Sequence, residues 1–409
     1  MRIIMRSETA RARARRRSNG PRRLAAWIAG WCLCSPVSAA QWELHPSLDV
    51  GAFSDDNIQL STGPHQSTSG YVGAVRLDGK GTTETSKTTF NGFVAHTGYS
   101  KGDVPDKTEE GLLLNAQKQT SERGTLGLDG EYRHDALFQT VTTSLQRGTG
   151  NIRDTDIGLS TNALVRRNYR VLQPWWNWLL TEASSMRLAY RLTDSTFGND
   201  AGTGLFDYRE HLLTATYAHQ LNPRDEFNLT ANVARYRPET GDNDANTEQL
   251  LAGVGRAFSE TLRGSFAIGA GRTTVDLPTG DQRSSGLVTT ASLRQTSELS
   301  TLEGVLSRDV TPSGAGQALR TDQLRIWWSR KLSSETEFIL ETQLFRNRAL
   351  EGSGTGVNRR YYDLSPQLRW QWLENIYIVG SYHYRKQKYD ADPKSADSNA
   401  VFLGLSYGL

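Results

Sequence analysis

The chain has 409 residues, 47 basic and 44 acidic side chains, seven histidines, two cysteines and 37% hydrophobic residues. Two cysteines exclude a disulfide-stapled scaffold, and beyond position 40 no run reaches the 18 apolar residues of a membrane-spanning helix. So low an apolar content in a chain this long fits a soluble protein, or a β-barrel whose apolar residues are spread over every second position.

Residues 1–40 read as a signal peptide, and 41–409 as the mature domain. Arg2, Arg6, Arg11, Arg13, Arg15, Arg16, Arg17, Arg22 and Arg23 form a basic start, and Leu24–Cys34 is an apolar stretch too short to span a bilayer. Ser38-Ala39-Ala40 then places small residues at −3 and −1 before Gln41, a secretory cleavage pattern. Arg22-Arg23 lacks the rest of a twin-arginine motif, and neither Cys32 nor Cys34 has the preceding small residue of a lipoprotein site. Removal of this segment takes nine arginines and one acid (Glu8), leaving 38 basic against 43 acidic residues and no cysteine. The basic excess therefore belongs to the leader, and nucleic acid is not an expected partner.

From Gln41 onward the apolar residues recur with period two, the signature of half-buried strands. Trp42, Leu44, Pro46, Leu48, Val50 and Ala52 alternate with Glu43, His45, Ser47, Asp49 and Gly51. Met186, Leu188, Tyr190 and Leu192 do the same, as do Phe227, Leu229, Ala231 and Val233, and Tyr362, Leu364, Pro366, Leu368, Trp370 and Trp372. Around Phe90–Tyr99 both faces carry apolar residues and the sequence leaves the register open.

The connectors alternate in kind. Short ones (Ser121–Gly124, Glu182–Ser185, Asn222–Asp225, Ser259–Thr261, Ser297–Ser300, Ser333–Glu335, Leu373–Asn375, and the longer Gly79–Ser86) are interleaved with long Gly/Asp/Asn/Ser-rich ones such as Ser54–Ser69, Phe197–Leu205 and Tyr389–Ser398. Short turns on one side and long loops on the other are the layout of an outer-membrane barrel, long loops outward. Nine long loops and eight short turns give a closed antiparallel transmembrane β-barrel of about eighteen strands. The span Asp135–Leu172, too long for one ordinary loop, keeps sixteen to twenty open. A soluble sandwich or propeller is the competing all-β reading, but it has no reason for one-sided loops.

The last residues, Val401–Leu409, alternate cleanly and read as a closing strand that zips onto Trp42–Ala52, with Tyr407 and Leu409 as the assembly signal for the barrel-assembly machinery. Trp42, Trp175, Trp176, Trp178, Trp327, Trp328, Trp370 and Trp372 all lie near strand ends on the short-turn side. Indole prefers the headgroup level, so these eight read as an aromatic girdle. Adjacent pairs must split between the faces, which leaves Trp176 or Trp327 open as a lumenal residue; plugging the barrel or stacking on sugar are the other uses for such rings.

The expected lumen-facing charges are Arg187, Arg191, Arg263, Arg325, Arg369 and Arg385 with Glu43, Asp49, Asp129, Glu131, Glu226, Glu337, Glu341 and Asp363. Mixed charge suits a wet lumen that passes polar solutes, or a structural network in which buried charges pair. Asp55-Asp56-Asn57, Asp242-Asn243-Asp244 and Asp390–Asp392 are oxygen-rich enough for calcium, though such runs more often begin turns. Gly352–Gly356 lacks the lysine and helix of a phosphate cradle. The histidines have no metal-ligand spacing and no catalytic triad stands out. No cofactor and no catalysis are expected.

Trp42-x-x-x-Pro46 leading into Asp55-Asp56-Asn57-Ile58, with turns such as Leu221–Glu226 and Leu332–Thr336, resembles the outer-membrane β-barrel porin family often linked to exopolysaccharide gene clusters. The resemblance is diffuse and covers most of 41–409. It implies an outer-membrane barrel with a role in polysaccharide production or export, and carries over no catalytic residue. Many barrels end in Phe, whereas this chain ends in Leu409. A porin-like conduit is therefore expected, with membrane lipid, lipopolysaccharide and polysaccharide as partners. A non-conducting structural or adhesive barrel, or less readily a barrel hydrolase, is the alternative.

Overall fold

The structure, a computed structural model, describes residues 41–100, 104–136, 165–198, 204–239, 243–350 and 357–408. The expectations for residues 1–40, Asp242, Gly352–Gly356 and Leu409 lie outside the described residues. Among those described, no helix is long and apolar enough to cross a membrane.

Period-two patterning becomes strand throughout. The first six are β1 (Gln41–Asp55), β2 (Thr68–Thr82), β3 (Ser86–Tyr99), β4 (Lys107–Gln119), β5 (Gly124–Ala136) and β6 (Arg166–Leu179). Next come β7 (Ser184–Phe197), β8 (Tyr208–Gln220), β9 (Asp225–Pro238), β10 (Asp244–Ala257), β11 (Leu262–Asp276) and β12 (Gln282–Thr296). The last are β13 (Ser300–Thr311), β14 (Leu319–Lys331), β15 (Thr336–Ala349), β16 (Arg359–Leu373), β17 (Ile376–Tyr389) and β18 (Ala396–Gly408). All belong to one 18-stranded sheet. The long span after Ala136 resumes as strand at Arg166, and residues 137–164 are outside the description.

Each strand runs antiparallel to its sequence neighbour, and β1 pairs with both β2 and β18, closing the sheet. The closing register runs from Ser47–Gly408 to Asp55–Ala400, so the terminal strand meets the second half of β1 and reaches past Ala52 to Asp55. Closure leaves no free edge to template aggregation, and it satisfies the backbone without water. Prolines interrupt individual rungs only. The β16–β17 register passes from Leu364–Tyr384 to Gln367–Ser381 around Pro366, whose ring carries no N–H.

The two faces separate by parity. Outward-facing Leu403, Tyr71, Val75, Leu250, Val401, Val233 and Val254 are each more than half exposed, and Phe266 and Ile268 are close to it. In water so continuous an exposed apolar band would be a liability; around a closed barrel it is the lipid-facing belt. The inward face carries Asp, Glu, Arg, Asn, Gln, Ser and Thr with a minority of apolar residues. In the stretch that the sequence left open, the β3 register puts Phe93 on the inward face beside Arg76, and Phe90, Val94 and His96 outside.

Cross-strand glycine–aromatic pairs settle local packing. Gly98 is the register partner of Tyr71, and Gly127 of Trp175; in both, the aromatic ring occupies the space that a Cβ would fill.

Candidate functional site

The lumen is the one place where side chains from every strand converge, so its wall is the candidate site. Register places each of the expected charges on the inward face, in different company. Asp49 binds Arg76 at 2.9 Å and Glu131 binds Arg133 at 2.7 Å. Asp363 accepts from His383 Nε2 at 2.8 Å and from the Tyr361 hydroxyl at 3.0 Å. Arg385 pairs with Asp55 at 2.7 Å, and Glu43 reaches Lys80 at 3.2 Å on the exposed rim. Arg187 lies over the Trp175 ring at 4.2 Å and Arg369 over Tyr377 at 3.8 Å. Asp129 accepts from Asn115 at 3.1 Å. Arg191 faces Leu212, Arg263 faces Arg294, Arg325 faces Val305 and Gln343, Glu226 faces Gln220, and Glu337 faces Lys331 and Arg369. Trp327 separates Glu341 from Glu303. Both signs recur around the wall, and several charges are held by a neighbour on the same strand or one or two strands away.

The two ends of the lumen differ. Toward the short turns lies a cavity of about 510 Å³, lined among others by Asp49, Arg76, Arg133, Trp327, Glu341 and Arg369. It is polar, with charges of both signs on facing walls.

Toward the long loops the inward side chains are buried: Arg167, Tyr169, Arg359 and Arg385 are each only 1% exposed. Two connector segments turn inward there. After β1, Asp55 is taken by Arg385 and by Ser398 Oγ (2.8 Å), Asp56 by the backbone N–H (2.7 Å) and side chain (2.8 Å) of Asn399. Asn57 anchors the turn by accepting from Ser61 N at 3.0 Å and donating to the Asp397 carbonyl at 2.8 Å. The oxygen-rich run is thus a turn whose acceptors are already used. It carries Leu60, at a positive φ of 49°, onto Phe345, Tyr361 and Ala396.

The second segment follows β13. The β12–β13 ladder extends only from Thr296–Thr301 to Thr289–Arg308, while β11–β12 continues to Val275–Gln282. Above that point β13 bends into the lumen, where Asp309 accepts from Gln249 of β10 at 2.5 Å. The connector behind it crosses to β9, the Ser313 carbonyl accepting from the Tyr236 hydroxyl at 2.6 Å. Ala318 and Leu350 pack there with Phe197, Tyr208, Tyr236 and Val275. A smaller cavity of about 290 Å³ lies below the bend, lined by Asn232, Gln249, Thr321 and Gln323. Arg320 of β14 covers the gap in the wall, donating to Ser284 Oγ and the Ser285 carbonyl at 3.2 Å each.

The expected girdle needs correction at two positions. Trp42, Trp176, Trp178, Trp328, Trp370 and Trp372 share the outward face, with Trp176 and Trp178 stacked at 5.2 Å and Trp328 Nε1 donating to Ser300 Oγ at 2.9 Å. Trp175 and Trp327 face the lumen instead. Strand alternation forces one member of each adjacent pair inward, and Gly127 opposite Trp175 makes the room for that ring. Trp175, rather than Trp176, is therefore the inward member of its pair. Tyr407 lies on the lipid-facing side of the closing strand, opposite Leu48.

An apolar exterior, closed backbone pairing and a polar interior decide the location. The chain is an outer-membrane β-barrel. No family model matches it, and no curated protein matches it. Among solved structures it is similar to OpdQ of Pseudomonas aeruginosa (10% identity over 91% of this chain and 99% of that one, TM-score 0.45). It is also similar to a BenF-like porin from Pseudomonas fluorescens Pf-5 (10% identity, 90% and 99%, TM-score 0.47) and to Pseudomonas aeruginosa OccK2 (OpdF) in complex with glucuronate (10% identity, 90% and 98%, TM-score 0.46). Likeness at these scores carries nothing to individual residues, and the barrel stands on its own register.

Sequence patterning missed the inward bend after β13 and the buried role of Leu60. The glycines opposite Tyr71 and Trp175 were the available clue to ring placement there, but they are visible only once strands are in register.

Proposed function

We propose that the barrel is a porin-like, non-enzymatic channel for small polar solutes, restricted at its long-loop end. The observation that carries this is the contrast between the 510 Å³ polar cavity toward the short turns and the buried side chains with inward-folded segments 57–60 and 309–318 above it. A lumen with charges of both signs, several of them paired, favours passage by size and polarity over strong ion selection. Single-channel recording of the purified protein in planar bilayers tests it. Small, discrete steps with weak ion preference are expected; a barrel silent at all voltages would instead be structural or adhesive.

A second reading concerns the cargo. The polysaccharide that the sequence resemblance implies is favoured by aromatic rings lining the cavity, Phe93 and Trp327 among them, since sugar faces stack on such rings. Neutral oligosaccharides added on the short-turn side would then interrupt ionic current in a length-dependent way. Current unaffected by any oligosaccharide would restrict the channel to small solutes.

A further inference from the structure

The lumen mixes both signs of charge, whereas one stretch of the outer wall is mostly basic. On the outward face of β13–β17, near the long loops, one register row reads Arg308, Asp322, Arg346, Arg360, Lys388, each the partner of the next. The rung beyond it pairs Arg320 directly with Arg348. Asp322 is the only acid in either row, and it is shared by Arg308 and by Arg348, at 2.7 Å from the latter. Arg360 has Asp390 at 3.8 Å, and Asp397 lies on β18 opposite Lys386.

Like charges directly opposite on neighbouring strands repel, so Arg346 against Arg360 and Arg320 against Arg348 are locally unfavourable pairs. They would be relieved by anions from outside the chain. Height on the barrel says which. One step toward the short turns, β13–β16 present Leu306, Leu324, Leu344 and Tyr362 to lipid, themselves successive register partners, and β17 adds Lys386 at the edge. The basic rows therefore begin about 7 Å above the last apolar row, where acyl chains give way to headgroups. The first row spans four interstrand gaps, roughly 20 Å. Guanidinium forks suit phosphate, which they hold by paired charge-assisted hydrogen bonds.

We propose that this face of β13–β17 is a docking site for lipopolysaccharide, held through the phosphates of its lipid anchor while its acyl chains lie on Leu306, Leu324 and Leu344. The long loops mark the outer side of the membrane, and there the anionic phosphorylated lipid is lipopolysaccharide. The inference rests on the membrane orientation and is independent of whether the channel conducts.

The test uses the full-length folded barrel in neutral detergent, incubated with purified lipopolysaccharide and separated by size exclusion, with bound lipid quantified by native mass spectrometry. The wild type is expected to retain lipopolysaccharide. The double variant Arg346→Glu/Arg360→Glu is expected to lose at least tenfold in retention, and the milder Arg346→Gln/Arg360→Gln several-fold. The lumenal variant Arg263→Glu is expected to retain as much as wild type, and heat-dependent gel mobility reports that each variant is folded. Equal retention by the folded glutamine variant and the wild type would overturn the site. So would equal binding of enzymatically dephosphorylated lipopolysaccharide, or of phosphatidylglycerol in its place.

Discussion

Asp55 at the end of the first strand and Arg385 on the seventeenth form an ion pair of 2.7 Å with both side chains only 1% exposed. Ser398 of the intervening strand donates to the same carboxylate at 2.8 Å, so three strands are tied together across the closure. A buried pair of this kind adds little beyond what a packed apolar substitute would give, but removing one partner strands a charge. Asp55→Ala or Arg385→Ala should each cost about 3–5 kcal/mol. Asp55→Ala/Arg385→Met should recover much of that loss. The temperature at which the compact gel form converts to the slow one reads out all three.

Gly127 leaves room for the Trp175 ring, which in turn carries Arg187 on its face. A side chain at 127 must push the indole further into the lumen. Gly127→Val should cost about 1–3 kcal/mol by overpacking, and it should lower unitary conductance. Gly130, on the lipid-facing side of the same strand, is the control position: Gly130→Ala should leave conductance unchanged.

The first and last long connectors are joined by one carboxylate. Asp392 accepts from the Lys394 backbone N–H at 2.9 Å and from Thr62 Oγ1 at 3.0 Å, and these bonds, the backbone one first, hold its pKa below the ordinary value. A depressed folded-state pKa means stabilisation that is present above the unfolded-state value and is lost as pH falls through the folded-state one. Acidification through and below the ordinary aspartate range should therefore loosen the 56–67 connector. Lower amide protection there at low pH, after correction for the intrinsic pH dependence of exchange, and already at neutral pH in Asp392→Asn, is the expected result. Identical protection factors at both pH values in the wild type would remove the link.

Arg369 lies over Tyr377 and faces Glu337 across the ladder, inside the larger cavity. Arg369→Glu puts three carboxylates, with Glu337 and Glu341, on one stretch of wall. Cation over anion permeability should rise by roughly a few-fold, as measured by reversal potential in a salt gradient. Arg346→Glu on the outer wall should leave the reversal potential where it was.

Deleting Val401–Leu409 removes the residues that pair with Ser47–Ser54. Two open edges then remain, and the truncated protein should accumulate as unfolded or aggregated material with no heat-modifiable band in membrane fractions.

Strand alternation and the unequal connectors made the barrel readable before any coordinate, because both follow from period-two patterning and turn chemistry. The pair Trp175-Trp176 shows where that reading stops. Which of two neighbours faces lipid depends on strand register, and register at that point is set by Gly127, some fifty residues away. Leu60 shows a second limit: a lone leucine in a polar connector has no periodicity, and its burial depends on Phe345 and Tyr361 from the far end of the chain. The basic rows on β13–β17 are invisible in the sequence for the same reason, since Arg308, Arg346, Arg360 and Lys388 are unremarkable until four registers align them.

The seam between β1 and β18 also bears on how the barrel comes to exist. Ser398 and Asp55, bonded across it, are 343 residues apart in sequence, whereas every other ladder joins neighbours along the chain. Hairpins can form as soon as their own residues are present, but the seam has to wait for everything between. Loop-closure entropy makes such a contact slow to form and slow to reward. The meeting of its two end strands is therefore expected to be the slowest step in building this barrel, with two unpaired edges exposed until it occurs.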